Sequence, residues 1–260
     1  MISFSKIKFC KFYFFKLLLT LFAATFSLSL QAKVIYYNFE YLKLPVAKLS
    51  IDYNEKRIVK GDISFSLETK GPLKIYRDYA SEGKLKYQLD ESWIYSINGF
   101  DRGQPEEKKI IYSKTKEPII EKFIDDKGVF PIAIIPVQDI GAIDPFSVII
   151  NTIINLEKKK NCYDNFRVID GKRRYKVAMR KVDSSLSDID KNLVTGKISH
   201  CRLTVLNSEN NSKKYRIWPF NKQDIFIDLW FSHEKKYLPI RIRAKTPIGS
   251  IIGRAVTEDL

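Results

Sequence analysis

The sequence predicts a mainly β protein with one or two helices, and three observations support this fold class. Polar and apolar residues alternate with period two in many segments after residue 33, for example over residues 63–67, and this pattern is typical of half-buried strands. The same segments are rich in Ile, Tyr, Phe and Val, which favour β-sheet. The 260 residues are 45% apolar and 29% charged, close to the globular average, which excludes disordered, collagen-like and coiled-coil proteins. We therefore expect residues 33–260 to form one mostly antiparallel β domain.

The first 32 residues have the organisation of a secretory signal peptide. Their basic part contains four lysines and no acid, namely Lys6, Lys8, Lys11 and Lys16. An apolar run over residues 17–30 and the small residue Ala32 follow, so we expect export to the periplasm with cleavage after Ala32. The alternative is an uncleaved membrane anchor, although the run is shorter than the ~20 residues of a spanning helix. Loss of the four lysines would lower the formal net charge from +15 to +11.

Two cysteines, Cys162 and Cys201, follow the predicted signal peptide. Two lone cysteines in an exported domain usually pair, and a bridge across about 40 residues stabilises a fold by roughly 4 kcal/mol. We therefore expect a disulfide between them, and two buried free thiols or one reactive cysteine are the alternatives. His200 precedes Cys201, but neighbouring residues in a strand point to opposite faces, which argues against a catalytic Cys–His pair.

The alternating segments predict the strands in chain order, and Gly and Pro residues separate several of them. The predicted strands span residues 46–53, 63–67, 85–87, 108–112, 119–124, 174–179, 197–205, 225–231, 239–244 and 248–256. The sequence contains no internal repeat and no low-complexity linker, which favours a single domain.

Residues 144–157 predict the main helix. Asp144 suits the N-cap, Pro145 suits the first turn, and the lysines at 158–160 suit the C-terminal end of a helix dipole. The apolar residues recur at helical spacing and are Phe146, Ile149, Ile150, Ile153 and Ile154. Because β-branched Ile has moderate helix propensity, this helix needs to pack against a sheet. A shorter helix is predicted over residues 73–79.

The C-terminal half contains an ordered series of motifs. They are Asp144-Pro145-Phe146-Ser147, Cys162, Asp170-Gly171-Lys172-Arg173-Arg174-Tyr175, Gly196, Cys201, Trp230, Pro239-Ile240-Arg241-Ile242, Thr246 and Gly249. This series resembles the domain-of-unknown-function family number 3108, whose members are exported proteins of Gram-negative bacteria. Residues 41–47 are similar to the first hairpin of the family, with Lys43 in the place of a glycine.

The resemblance implies a curved, unclosed antiparallel barrel similar to lipoprotein-carrier folds. A helix at about residues 144–157 would then cover the concave side of the sheet. No catalytic residues are established for the family, so the resemblance implies none in this chain.

Common enzyme signatures are absent from the sequence, including GxSxG, the P-loop, GxGxxG and CxxC. His233 and Glu234 begin a segment like HExxH, but Tyr237 stands where the second zinc ligand belongs. The chain has only two histidines. We therefore expect no metal site, no cofactor and no enzymatic activity.

The basic residues allow an anion-binding site as one interpretation. Arg173 and Arg241 would meet if their strands were neighbours, and arginine recognises carboxylate and phosphate groups. The alternative is a β-turn at Asp170-Gly171 that leads into a strand with exposed basic side chains. The positive net charge also fits an anionic membrane surface or a merely Lys-rich composition, and expected export argues against nucleic acid as a partner.

We expect a monomeric, non-catalytic periplasmic protein that binds a hydrophobic or lipidic ligand in its curved sheet. The candidate ligand-binding residues are Phe146, Ile149, Ile150, Ile153, Arg173 and Arg241. The alternative is a structural or interaction protein of the cell envelope with a filled core and no ligand. An open apolar groove in the interior favours the first hypothesis, whereas tight packing favours the second.

Overall fold

The structure is a computed structural model that describes most of the chain after residue 32. The described residues are 33–53, 62–88, 90–125, 128–130, 133–134, 139–171, 174–183, 196–206, 225–246 and 249–256. The predicted signal peptide lies outside them. No helix among the described residues is long and apolar enough to cross a membrane.

Fifteen strands fall within the described residues. They are β1 (Lys33–Tyr41), β2 (Leu44–Tyr53), β3 (Ile63–Thr69), β4 (Tyr79–Tyr87), β5 (Ser92–Asp101), β6 (Gln104–Ser113), β7 (Ile119–Asp125), β8 (Gly128–Phe130), β9 (Ala133–Ile134), β10 (Asp164–Ile169), β11 (Arg174–Lys181), β12 (Ile198–Leu206), β13 (Ile225–Ser232), β14 (Leu238–Thr246) and β15 (Gly249–Ala255). The alternation did not predict β1, β5, β8, β9 and β10. Consecutive apolar residues hide the period in β1 and β5, and the other three strands are short.

All the described strands belong to one antiparallel sheet. Its order is β10-β11-β12-β13-β14-β15-β1-β2-β3-β4-β5-β6-β7-β8, and β9 pairs with β7. The last strand pairs with the first, so that Tyr37 of β1 lies opposite Ala255 of β15. The predicted fold class, a mainly β protein with an open antiparallel sheet, is confirmed.

The sheet curves so strongly that strands far apart in its order come into contact. The hydroxyl of Tyr112 in β6 donates to the carbonyl of Ile169 in β10 at 2.5 Å. The indole N–H of Trp93 in β5 donates to the carboxylate of Asp144 at 3.1 Å, in the segment that leads to β10. Both hydrogen bonds are buried, so the two sides of the open sheet approach each other around a common interior.

The described residues include two helices, α1 (Gly71–Tyr76) and α2 (Pro145–Lys159). The predicted bounds of the shorter helix, 73–79, are wrong at both ends. Pro72 is accepted in the first turn, where the missing N–H has no helical partner. The N–H of Arg77 bonds to the carbonyl of Leu73 at 2.7 Å and ends the helix, and Tyr79 already belongs to β4.

The main helix begins where the sequence predicts and ends two residues later than predicted, because Lys158 and Lys159 belong to its last turn. The carboxylate of Asp144 accepts the N–H of Ser147 at 2.9 Å and caps the first turn. Lys160, with a φ of 57°, adopts the left-handed conformation that terminates the helix. The helix covers the concave side of the sheet with its buried apolar residues Val148, Ile150, Ile153 and Leu156.

One glycine allows the helix to approach the sheet. A Cβ at Gly83 in β4 would lie 2.0 Å from the ring of Phe65 in β3, so only glycine leaves room for that ring. The ring of Phe146, in the first turn of α2, stacks on the ring of Phe65, and the centroids of the two rings are 3.8 Å apart. This contact positions the apolar face of α2 over β1, β2 and β3.

Candidate functional site: an apolar cavity under the helix

An apolar cavity of about 180 Å³ lies between α2 and the inner face of the sheet. Its floor comes from β1, β2, β3, β13 and β14. Representative floor residues are Ile35, Tyr37, Leu49, Leu229, Leu238 and Ile242. The walls therefore offer aliphatic and aromatic contacts to whatever the cavity contains.

The helix supplies the roof of the cavity. The lining residues on this side are the four that the sequence analysis selected, namely Phe146, Ile149, Ile150 and Ile153. They lie three or four positions apart and so share one face of the helix. Ile154, which also belongs to the predicted apolar face, packs against the core without lining the cavity. Ligand binding by the four residues stays a prediction.

The hydroxyl of Tyr37 in the cavity floor is already engaged. It donates to the carbonyl of Pro239 at 2.7 Å, and the residue is fully buried. Burial raises the pKa of Tyr37, and the nearby Tyr53 acts in the same direction, so the hydroxyl remains neutral. This hydrogen bond joins β1 to β14 and leaves the ring as an apolar wall.

The cavity reaches the protein surface. Four of its lining residues, Ile51, Phe146, Ile149 and Ile242, are only partly buried. An enclosed core would bury such side chains fully. The cavity is therefore not closed off from the surface at these four residues.

The N-terminal end of α2 is fixed by the buried carboxylate of Asp144. Trp93 donates to one of its oxygens, and both the N–H and the hydroxyl of Ser147 donate to the group. Burial raises the pKa of Asp144, while the hydrogen bonds from Ser147 and Trp93 oppose that effect. These contacts tie the start of the helix to β5.

The C-terminal end of α2 is fixed by a hydrogen bond and a disulfide. The Lys160 ammonium donates to the hydroxyl of Tyr237 at 2.9 Å. Cys162 and Cys201 form the expected disulfide, with Cα atoms 6.0 Å apart, and it joins the segment after α2 to β12. The helix is thus held at both ends.

A cluster of charged and aromatic residues lies on the other face of the sheet from the cavity. In β13, Leu229 faces the cavity, whereas Asp228 and Trp230 alternate with it and face away. The carboxylate of Asp228, 1% exposed, accepts hydrogen bonds from Arg202 at 2.7 Å and Arg243 at 2.8 Å. These three residues lie opposite each other on β12, β13 and β14.

His200 belongs to the same outer cluster. Its Nε2 lies 3.2 Å from the Asp228 carboxylate, and its ring stacks on Trp230 with centroids 4.4 Å apart. Cys201 instead belongs to the main core, so the two neighbours face opposite sides of β12 as the alternation predicts. Burial alone would raise the pKa of Asp228, but contacts with His200, Arg202 and Arg243 outweigh it and hold that pKa well below its usual range.

Arg241, one of the two candidate arginines, does not line the cavity. Arg173 lies outside the described residues, and Arg241 lies over the outer face, with its guanidinium 4.9 Å from the centre of the Trp230 ring. The expectation that their strands could be neighbours is wrong. From β10 to β15 each strand pairs with the next one in the chain, and this pattern places β12 and β13 between β11 and β14.

Replacing Asp228 by Asn should make the free energy of unfolding less dependent on pH in the acid range. The pKa of Asp228 is lowered in the folded state, so its contribution is complete above the unfolded-state pKa of about 4 and declines as pH falls toward the folded-state value. In urea unfolding from about pH 7 to about pH 2, the free energy of unfolding of Asp228→Asn should be clearly lower than that of the wild type at neutral pH. The difference should become smaller as the pH falls. A constant difference between the two proteins across this range would contradict the prediction.

A second polar contact joins Ser199 to His233, and no motif in the sequence indicates it. The Ser199 hydroxyl lies 2.8 Å from Nε2 of His233. Burial lowers the pKa of His233, and Lys197 and Lys160 act in the same direction. Within the described parts of the chain, no three His, Cys, Asp or Glu side chains gather as a metal site. The contact ties β12 to the turn before β14.

Comparison with solved structures supports the fold described above. The crystal structure of a beta-barrel-like protein of the domain of unknown function DUF1849 from Brucella abortus is similar, with a TM-score of 0.50 and 8% sequence identity. The match covers 87% of this chain and 95% of that chain. At this identity the similarity concerns the fold alone.

Comparison of sequences identifies the family. No curated protein matches the chain. The profile of the family described as "Protein of unknown function (DUF3108)" matches residues 35–256, which include every residue that lines the cavity. The resemblance noted in the motifs from Asp144 to Gly249 is confirmed. Because the match spans most of the sequence, this chain belongs to the DUF3108 family of proteins of unknown function.

Proposed function

We propose that the protein binds a hydrocarbon ligand, such as the acyl chain of a lipid, between α2 and the sheet. The observation that carries this proposal is the apolar cavity of about 180 Å³ that opens beside Ile51 and Ile149. Two tyrosines line it, and the hydroxyl of Tyr37 already bonds to Pro239, while Tyr53 also has a partner. A polar metabolite would lose its hydrogen bonds to water there without gaining others, whereas a hydrocarbon has no such hydrogen bonds to lose.

The size of the cavity sets the length of chain that it can hold. A cavity of about 150 Å³ lined by apolar side chains binds benzene, so about 180 Å³ should hold roughly six to eight carbons. Burial of each methylene contributes about 0.8 kcal/mol, or roughly a fourfold gain in affinity. Because α2 is held at both ends, we expect the affinity to stop rising once the acyl chain is longer than about eight carbons.

A structural role in the cell envelope is the second candidate. The small volume of the cavity favours this alternative, since about 180 Å³ is below the roughly 300–1,000 Å³ of most ligand pockets. On this alternative the cavity is a packing defect, and the protein acts through its surface.

We further propose that the protein works in the periplasm. The organisation of residues 1–32 supports export, and the Cys162–Cys201 disulfide is consistent with an oxidising compartment. A periplasmic site would bring the protein close to the acyl chains of two membranes.

Titration with a fluorescent acyl probe tests the binding proposal. Ile149→Trp puts a larger side chain into the cavity, and it should weaken binding of a probe with an eight-carbon chain by at least about tenfold. Ile154→Trp is the matched control, because this residue lies on the same helix, is likewise partly buried and does not line the cavity. The control should bind as the wild type does.

Two results would reject the binding proposal. The first is the absence of saturable binding at micromolar probe. The second is equal loss of binding in Ile149→Trp and Ile154→Trp, which would place the probe elsewhere. In either case the structural alternative takes its place.

A further inference from the structure

Large apolar side chains protrude from one end of the sheet. They belong to the β1–β2 turn, to α1 and to the end of β5, and they form what we call the tip patch. Its members, with their exposed fractions, are Leu42 (72%), Leu44 (52%), Ile75 (92%), Tyr76 (71%) and Phe100 (39%).

The three segments form one continuous surface. The N–H of Lys70, just before α1, donates to the carbonyl of Val46 in β2 at 2.8 Å. On the other side of α1, the guanidinium of Arg77 donates to both carboxylate oxygens of Asp101 at 2.9 and 2.6 Å. The tip patch is therefore held in place by hydrogen bonds rather than by burial of its apolar side chains.

Packing does not explain why these residues are apolar. Helix α1 has no buried residue, although it contains Leu73, Ile75 and Tyr76. At the β1–β2 turn, Leu42 and Lys43 have φ values of 50° and 66°, in the left-handed region that non-glycine residues seldom adopt. Several large exposed apolar side chains at one end of a folded domain often mark a surface that another apolar phase covers.

Cations surround the tip patch. Over residues 41–45, 68–78 and 100–104, five basic side chains outnumber three carboxylates. The basic residues are Lys43, Lys70, Lys74, Arg77 and Arg102. Lys70 pairs with Glu68, Lys74 pairs with Asp78, and Arg77 and Arg102 share Asp101, so five positive and three negative charges leave an excess of two positive charges. Lys43 sits between Leu42 and Leu44, and Lys74 precedes Ile75, so charged and apolar side chains alternate at the surface.

We propose that the tip patch inserts into the surface of an anionic lipid bilayer. Aliphatic side chains would enter the boundary between headgroups and acyl chains, and the excess positive charge at Lys43 and Arg102 would attract lipid phosphates. Tyr76 has the apolar ring and polar end that suit this interfacial depth. The inference does not rest on acyl binding in the cavity, since no tip-patch residue lines the cavity.

A bilayer fits the tip patch better than a second copy of the chain. Self-association would bring the excess positive charge at Lys43 and Arg102 toward its own counterpart, and facing like charges oppose association. The apolar side chains also sit on separate turns with cations between them, whereas protein interfaces usually have an apolar core with few charges. A fluid lipid surface can adapt to such separate projections.

Vesicle binding of the full chain, purified as the cell processes it, tests the proposal. The vesicles are phosphatidylcholine with or without phosphatidylglycerol. The wild type should sediment with the anionic vesicles, and Leu42→Asp/Ile75→Asp should reduce partitioning by at least about tenfold because two four-carbon side chains are lost. Tyr87→Asp is the control. Tyr87 is as exposed as Phe100, at 39%, but lies at the other end of β4 from α1.

A polarity-sensitive fluorophore reports insertion directly. Attached at Ile75→Cys in a Cys10→Ser background, it should shift to the blue on anionic vesicles, whereas the same fluorophore at Tyr87→Cys should not. An unshifted fluorophore at position 75, or equal partitioning of Leu42→Asp/Ile75→Asp and wild type, would overturn the proposal even if another segment binds the vesicles. Concentration-dependent dimers that the double variant abolishes would instead assign the tip patch to self-association.

Discussion

Reduction of the Cys162–Cys201 disulfide should lower the free energy of unfolding by about 4 kcal/mol. The two cysteines are 39 residues apart in sequence, so the bridge closes a long loop and restricts the unfolded chain. In the folded state the bridge joins the end of α2 to β12, two elements of the same core. The loss is a large part of the roughly 5–15 kcal/mol that stabilises a typical domain.

Urea unfolding of the wild type, oxidised and then reduced, measures this effect. Cys162→Ala/Cys201→Ala serves as the control, because its stability should not respond to reductant. The variant should also be less stable than the reduced wild type by a small margin, since both cysteines are buried and alanine is smaller. A difference below about 1 kcal/mol between oxidised and reduced wild type would show that the bridge adds little.

Replacing Ile150 by Asp should unfold the protein or come close to it. Ile150 is 8% exposed and lies between α2 and the sheet, with the cavity beside it. A carboxylate there would be buried among apolar side chains, at a cost of several kcal/mol, and the helix would lose its apolar contact. We expect loss of the cooperative thermal transition, or a fall in Tm by more than about 10 °C.

Ile75→Asp is the matched control, with the same chemical change at a residue that is 92% exposed. Its stability should stay within about 0.5 kcal/mol of the wild type. Circular dichroism and thermal unfolding of the two variants measure the contrast. Equal effects at both positions would contradict the packing of α2 on the sheet.

Local chemistry in the sequence predicted much of the fold. The period-two pattern gave ten of the strands, because alternation follows directly from the geometry of a strand with one buried face. Asp144 and Pro145 predicted the start of α2, since capping depends on residues within one turn. The four helix residues that line the cavity followed from the same reasoning, because helical spacing places them on one face.

The site also contains features that no local pattern could predict. The order of the sheet decides that Arg241 lies over Trp230 rather than beside the strand that follows Arg173. It also brings Arg202 and Arg243, far apart in the chain, to the carboxylate of Asp228. Such neighbours depend on strand pairing across the whole molecule.

The sequence by itself thus determined ten of the strands, the start of α2, the apolar face of that helix and which cysteines are available to pair. Only the tertiary structure decided that the apolar face leaves a cavity of about 180 Å³ and that Leu42 and Ile75 remain exposed at one end of the sheet. The physical reason is that periodicity and capping depend on a few neighbouring residues. A cavity or a surface patch instead depends on how well side chains from distant strands fill a shared space.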